Sequence, residues 1–389
     1  MPRTGLNLTQ AARFISYILV FLQHMLAINA LQLVLYPALS LFGQYAIDLY
    51  NKYAKHQFGG AMILNFQIWA PTKLVLYAEE GSDMAKEMLE LKAKDVYGDV
   101  KGMRWFGDLK DTHSAMVIAN HQAYTDWMYL WILAYFEKAD YYIKVILKYE
   151  LRKLPVGMRI FRFIFIKRNW AEDQKIFDDH ISIIKDSSLP TLLLIFPEGT
   201  TISNKTLKKR SEFAKKMGWK EPTHVLFPRS TGMHYCLDKL KGDLPYIYDI
   251  TIGYEGLKPG EIPEDKYGLL NTFARSIYPR NVHMYFRRFS TKDIPTNKPE
   301  FELWIRDRFY EKDKMLDYFY KNQRFASCVN PKNGLSGSSE NMLTDVVDIK
   351  IDSRPFEMIF MWIIATLSLR YIVPLILRWT VVPIFYFVF

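Results

Sequence analysis

Two cysteines in 389 residues, Cys236 and Cys328, stand far apart and form neither a CxxC pair nor a Cys/His ligand spacing. That excludes a disulfide scaffold and a zinc module. Charge is missing over one long run: from Phe14 to Ile47 there is no Asp, Glu, Lys or Arg. Nineteen glycines and 18 prolines are too few for a collagen-like or low-complexity chain, and 50 % hydrophobic against 24 % charged residues excludes a disordered one. Two catalytic signatures are also missing. The chain has no GxSxG nucleophile elbow to suggest a covalent acyl-enzyme, and neither HExxH nor a carboxylate-rich loop, so no metal cofactor is expected.

The uncharged N-terminal run is long enough to cross a bilayer, since roughly 20 apolar residues suffice. Pro37 lies two-thirds of the way along it and predicts a kinked span, or a span followed by an interfacial helix. At the other end, Met358 to Leu377 is interrupted only by Arg370, and Trp379 to Phe389 closes the chain. These stretches read as a span or an interfacial tail with its arginines at headgroup level. The Ser-, Gly- and Asn-rich stretch between them and the middle of the chain reads as a linker. The organisation expected is an N-terminal membrane-anchoring region (1–80), a soluble domain (81–325), a flexible linker (326–345) and a membrane-associated tail (346–389). Fifty-one Lys and Arg against 41 Asp and Glu give a formal +10, which predicts an anionic partner, phosphate-bearing lipid or nucleic acid.

Within the middle domain, apolar or β-branched runs at 115–119, 141–146, 163–167, 191–196, 224–227 and 248–254 are strand candidates. Helical stretches at 124–136, 173–185, 207–217, 232–241 and 301–325 alternate with them. The alternation predicts an α/β fold with a central, mostly parallel sheet flanked by helices, and N- and C-terminal membrane-anchoring helices. In such sheets ligands bind beyond the carboxyl ends of the strands.

Four strand-to-turn junctions carry polar chemistry. After the first comes Asn120-His121-Gln122-Ala123-Tyr124-Thr125-Asp126, an HxxxxD spacing in which Asp126, in the first turn of a helix, can fold back on His121. A carboxylate on one imidazole nitrogen fixes the tautomer and supports the imidazolium, which equips His121 as a general base toward a hydroxyl. The same residues would also serve as a loop histidine and a helix cap. Lys167-Arg168 ends another strand. Alternation admits only one of the two to a given site, and Arg168 is favoured because guanidinium grips phosphate in a bidentate way. Phe196-Pro197-Glu198-Gly199-Thr200-Thr201 is a turn whose glycine admits a ligand close to the backbone, while Glu198 and the threonine hydroxyls can hold polyol hydroxyls or position basic groups. Pro228-Arg229-Ser230-Thr231-Gly232 repeats the theme of an arginine beside a polar turn.

Together and in this order the four blocks resemble the glycerolipid acyltransferase family, membrane-bound enzymes that esterify lysophospholipids from acyl-CoA. The resemblance covers roughly residues 90 to 325. The blocks IFIKRNW, LLLIFPEGT, KKRSEFAKKMGW, VLFPRSTG and YDITIGY bring it nearest the branch with lysocardiolipin and lysophosphatidylinositol acyltransferases, lysophosphatidic acid acyltransferases being close cousins. The resemblance implies His121 as catalytic base and Asp126 as its orienting carboxylate. It implies Arg168 on the acceptor's phosphate, Glu198, Gly199 and Thr200 about the glycerophosphate, and Pro228 and Arg229 in the fourth block. Inside the first motif, Gln122-Ala123-Tyr124-Thr125 replaces the family's usual small or polar residues, which leaves headgroup choice open. The expected partners are acyl-CoA as co-substrate, an anionic lysophospholipid and membrane lipids of the endoplasmic reticulum, with no other cofactor. No nucleic-acid-binding pattern is present. The alternatives are acylation of lysophosphatidic acid or glycerol 3-phosphate in primary synthesis, and a non-catalytic membrane scaffold. The expected sign of a scaffold is loss of His121 or Asp126, and both are there.

Overall fold

A computed structural model describes residues 5–94, 105–106, 114–150, 161, 163–187, 189–326 and 342–350, with positions 363, 366, 367, 370 and 371 beyond them. Among the described residues the centre is an eight-stranded sheet. In chain order its strands are β1 (Lys73–Glu79), β2 (Ala115–Ala119), β3 (Ile143–Lys148), β4 (Ile164–Ile166), β5 (Leu192–Ile195), β6 (Tyr246–Tyr254), β7 (Asn281–Ser290) and β8 (Met342–Asp348). In space the order is β4-β3-β5-β2-β6-β7-β1-β8. The first five of these run parallel; β7 is antiparallel to β6, β1 parallel to β7, and β8 antiparallel to β1. The expectation of a mixed α/β domain with a mostly parallel sheet holds.

The central parallel strands β2 and β5 are short and apolar on both faces, as strands covered by helices above and below must be. All five residues of β2 (AMVIA) and all four of β5 (LLLI) are buried. Helix α4 (Asp126–Phe136) is apolar around its whole circumference and is buried under α2 (Gln44–Trp69). The two helices approach closely at Gly59, where a methyl group would lie 2.7 Å from the ring of Tyr135. Phe58 against Trp131 and Phe66 against Tyr129 continue that seam. Lys55, also on α2, donates from its Nζ to the carbonyl of Ile143 at 2.8 Å and so ties the helix to the start of β3. Helices α5 (Trp170–Lys185), α6 (Asn204–Met217), α7 (Thr231–Leu240) and α10 (Lys298–Asn322) complete the cover, with α3 (Asp83–Lys94) after β1 and the short α8 (Pro263–Tyr267) and α9 (Leu269–Phe273) between β6 and β7.

Helix α1 (Leu8–Ser40) is the one described helix long and apolar enough to cross a membrane. Its 33 residues reach about 50 Å at 1.5 Å per residue, more than a bilayer's hydrocarbon thickness. Pro37 does not end it. The break comes at Leu41–Gly43, where Gly43 takes φ 84°, so the uncharged run splits between two helices. One face of α1, including Met25 and Ile28, is buried in the core shared with α2, while Ile15, Leu19 and Leu22 on the other side stay exposed.

Three expectations change. Residues 224–227 are not a strand: the backbone N–H groups of Thr223 and His224 donate to Asp313 and that of Leu226 to Glu198, so side chains take the place of a neighbouring strand. β1 lies inside the stretch assigned to the N-terminal anchor, and α2 packs into the domain's core, so 1–80 is not an appendage. β8 crosses the boundary drawn between linker and tail at 345/346, because Met342 to Asp348 pair along the whole of β1. The rest of the linker and the C-terminal membrane tail lie outside the described residues, apart from the isolated positions.

Candidate active site

The carboxyl ends of β2, β4 and β5 open into one cavity of about 1230 Å³ whose lining includes His121, Arg168, Glu198, Gly199, Thr200, Pro228 and Arg229. Asp126 stands behind His121 and is fully buried. The two meet because β2 ends at Ala119 and α4 starts at Asp126, a turn just long enough to fold the helix's first residue onto the loop. His121 Nδ1 lies 2.9 Å from Asp126 Oδ2, and the same oxygen accepts the N–H of Ala123 at 2.9 Å. The other carboxylate oxygen accepts the hydroxyl of Tyr254 at the end of β6. Asp126 is thus held from three sides, and Nδ1 of the imidazole is committed to it. Nε2 is the nitrogen left for chemistry. Phe196 stacks on the imidazole, ring centres 4.3 Å apart, and keeps its plane fixed.

Glu198 works from behind. Its two oxygens accept the backbone N–H groups of His121 and Leu226, both at 2.8 Å, and the residue is 2 % exposed. It therefore joins the first and fourth blocks, separated by about a hundred residues, and does not hold its carboxylate out to polyol hydroxyls. Burial pushes its pKa up to about 8; the two N–H donors and Lys312 pull downward, and the charge of Asp126 pushes further up. Lys312, on α10, is itself buried, paired with Asp249 and bonded to the carbonyl of Ile250 at 2.6 Å, and burial lowers its pKa to about 8.

Arg168 and Lys167 part, though not by strand alternation: both lie beyond the end of β4 at Ile166, and it is the left-handed backbone at Arg168 that turns the chain between them. Lys167 pairs with Glu172 outside the cavity lining, whereas Arg168 lines the cavity and donates to the carbonyl of Gly199. Arg168 takes φ 66°, a left-handed conformation that costs of order 1–3 kcal/mol in a residue with a side chain and that persists at sites where geometry matters. Partial desolvation, then the neighbouring Arg229 guanidinium, lower its pKa. Two guanidiniums side by side form a receptor for a dianion. Gly199, at φ 71°, is overlain by the side chain of Arg229, whose backbone N–H donates to Pro197 at 2.8 Å. Thr200 and Pro228 complete the wall.

Three further contributors, Asn120, Phe196 and Tyr254, sit inside the sequence blocks without a role assigned to them there, and a fourth, Glu264, lies outside those blocks. Asn120 clamps β2 to β6 by giving and taking a hydrogen bond with the backbone of Ile252, at 2.9 and 2.8 Å. Tyr254 holds Asp126, Glu264 accepts the N–H of Tyr124, and Phe196 orients the imidazole. Sheet order would have found Tyr254, since β6 lies beside β2; sequence spacing could not. The cavity also carries an apolar wall from Tyr17 and Phe21 on α1, Phe58 on α2 and Trp127 on α4.

A fixed imidazole–carboxylate pair beside two arginines, at the carboxyl ends of parallel strands, has the groups to take up a proton next to a bound anion. The family comparisons agree. A family model described as Acyltransferase matches residues 100–254, and one described as Acyltransferase C-terminus matches residues 275–362. The chain is 32 % identical over 284 residues to an uncharacterized acyltransferase of Schizosaccharomyces pombe, a match covering 72 % of this chain and 77 % of that one. It is 33 % identical over 290 residues to the 2-acyl-1-lysophosphatidylinositol acyltransferase of Saccharomyces cerevisiae, covering 65 % and 72 %. With lysocardiolipin acyltransferase 1 of Gallus gallus it shares 34 % identity over 215 residues, 53 % of this chain and 54 % of the relative. The chain belongs to the glycerolipid acyltransferase family.

Proposed function

We propose that the protein transfers a fatty acyl group from acyl-CoA to the free hydroxyl of an anionic lysophospholipid, with lysophosphatidylinositol the favoured acceptor, and that it works as an integral membrane enzyme of the endoplasmic reticulum. The observation that carries the reading is the 2.9 Å contact of His121 Nδ1 with a fully buried Asp126 in a cavity that also holds Arg168 and Arg229. His121 Nε2 takes the proton of the acceptor hydroxyl as its oxygen attacks the thioester carbon. The carbon–sulfur bond then breaks, and the CoA thiolate leaves with the proton returned by the imidazolium. Asp126 orients the ring and stabilises its charged form. Arg168 and Arg229 grip the acceptor's phosphate, and the apolar wall from α1, α2 and α4 suits acyl chains. The names of the yeast and chicken relatives support an anionic lysophospholipid acceptor, and the exposed apolar face of α1 supports a membrane location.

The test is purified full-length protein with labelled acyl-CoA against a panel of lysophospholipids and lysophosphatidic acid. Transfer to lysophosphatidylinositol that disappears in a folded His121→Ala variant supports the reading. Undiminished transfer by that variant refutes the base, and preference for lysophosphatidic acid moves the enzyme to primary synthesis.

A further inference from the structure

The lining of the active-site cavity is of two kinds. From α1, α2 and α4 it is apolar. Where α6, the turn after it and α10 contribute, it is aromatic and basic, with Lys209, Phe213, Trp219, Phe227 and Arg306. We propose that this second lobe seats the adenosine 3′,5′-bisphosphate end of acyl-CoA, with the exposed ring of Phe213 and the Trp219–Arg306 layer as the platform for adenine and Lys209 and Arg306 as phosphate contacts. The inference rests on acyl-CoA as donor and names which residues recognise its nucleotide.

Four observations carry it. First, Phe213, Trp219 and Phe227 pack with ring centres 5.4 to 5.6 Å apart and their planes steeply inclined, so the rings brace one another by their edges. Phe213 is nevertheless 42 % exposed, on a largely basic helix whose other exposed apolar side chain is Met217, also in the cavity lining. An aromatic ring held by its neighbours and left open at a cavity is a stacking surface.

Second, Arg306 lies over Trp219 with its guanidinium 4.0 Å from the ring centre. A guanidinium already stacked on indole adds charge to the platform and keeps its edge donors for phosphate. Third, Lys209 stands four residues before Phe213, so the two share a face of α6 and a cation lies one turn from the open ring. Among the described residues no carboxylate pairs with Lys209 or Arg306. Arg210 is different: its Nε and Nη1 are spent on Glu221 and on the carbonyls of Thr223 and Val225, so it builds the turn and is not counted as a phosphate contact. Glu302, the acidic side chain in this lobe, accepts a hydrogen bond from Ser230.

Fourth, the lobe is rigid. Tyr310 on α10 donates to the carbonyl of Lys220 at 2.7 Å, and Asp313 accepts the N–H groups of Thr223 and His224, so α10 is bolted to the turn that follows α6. An acyl-CoA has one apolar end and one highly anionic, purine-bearing end, and the thioester lies between them. A cavity whose lining holds an apolar wall, a basic aromatic wall and His121 offers a partner for each of those parts. A lipid headgroup would use the charges and leave the open ring without a partner.

The full-length protein in detergent micelles is titrated calorimetrically with adenosine 3′,5′-bisphosphate and, separately, with inorganic pyrophosphate. The expected result is saturable binding of the nucleotide, several-fold tighter than pyrophosphate. It should weaken roughly tenfold in Lys209→Glu and in Arg306→Glu, as loss of a charge-assisted contact dictates. Phe213→Leu should weaken it a few-fold, and Phe213→Tyr, which keeps the ring, should restore it. In turnover, the same charge reversals should raise KM for acyl-CoA and leave KM for lysophospholipid within about twofold. Pyrophosphate binding as tightly as the nucleotide, nucleotide affinity unmoved by both reversals, or a rise confined to the lysophospholipid KM would each overturn the assignment. If the wild-type protein uses no acyl-CoA at all, the donor reading fails. Nucleotide binding with the predicted dependence on the three residues would still establish the lobe as a nucleotide site.

Discussion

Strands β4, β3, β5, β2 and β6 run parallel, and His121, Arg168, Glu198 and Gly199 lie just beyond the carboxyl ends of three of them. β7, β1 and β8 extend the same sheet in mixed directions and supply no residue of the His121 site. The first half gathers loops and helix starts at one edge, where polar groups can converge on a ligand. The second half gathers ties. Arg288 of β7 reaches Glu87, Tyr285 donates to Glu79 at 2.8 Å, Tyr77 meets His283 at 2.8 Å, and Lys73 pairs with Asp348. One sheet therefore divides into a part that gathers the candidate site and a part that holds the chain's distant segments together. Substitutions should separate the two.

The largest separation is expected from His121→Ala. Turnover should fall about 10²- to 10⁴-fold while the thermal melt stays near that of the parent, because a loop histidine contributes little to the core. Steady-state rates alongside a melting curve check both, and normal rates in the folded variant would break the assignment. The converse is Phe319→Ala on α10. This fully buried ring packs against Gly253, His283 and Phe325, and its loss should cost about 3–5 kcal/mol of stability. Activity per folded molecule at low temperature should change little, and a matching loss of turnover would mean the two halves are not separable.

Arg168→Lys should act more mildly, raising KM for the lysophospholipid roughly tenfold with turnover at saturating acceptor retained, since the point charge keeps the sign and loses the fork. A rise in the acyl-CoA constant instead would show that Arg168 serves the other substrate. The smallest effect is on pH dependence. Glu198 has a folded pKa near 8 against an ordinary value of 4.5, so between those values the native state holds more protons than the unfolded one. Its contribution to stability is complete below about pH 4.5 and is lost as pH rises through 8. Melting temperatures of Glu198→Gln should lack that decline relative to the parent; an identical profile would place the titration elsewhere.

The chemistry-bearing half was legible because each of its parts is local: an apolar run, a polar turn and a helix start follow one another within about a dozen residues, as at 115–126 and 192–204. The meeting of His121 with Asp126 could be read from the spacing because the turn between them is short. The other half is built from partners far apart. β7 reads NVHMYFRRFS, and its two arginines look like solvated charge until Asp249, Glu311 and Glu87 are brought to them by the fold. Residues 224–227 misled for the opposite reason: their apolar pattern is that of a strand, but their hydrogen-bond partners are carboxylates on other elements. The same distance hid Tyr254, Glu264 and the true use of Glu198.

Glu198 has a consequence for the life of the chain before it is finished. Its carboxylate spans peptide groups at 121 and 226 and feels the charge of Lys312 on α10, and Asp313 secures the stretch around 224. As the polypeptide leaves the ribosome, His121 waits some 190 residues for the helix that completes its surroundings. A chain cut off before α10 thus carries His121 and Asp126 without the groups that secure Glu198 and the stretch around 224, so the HxxxxD segment alone is not a finished centre.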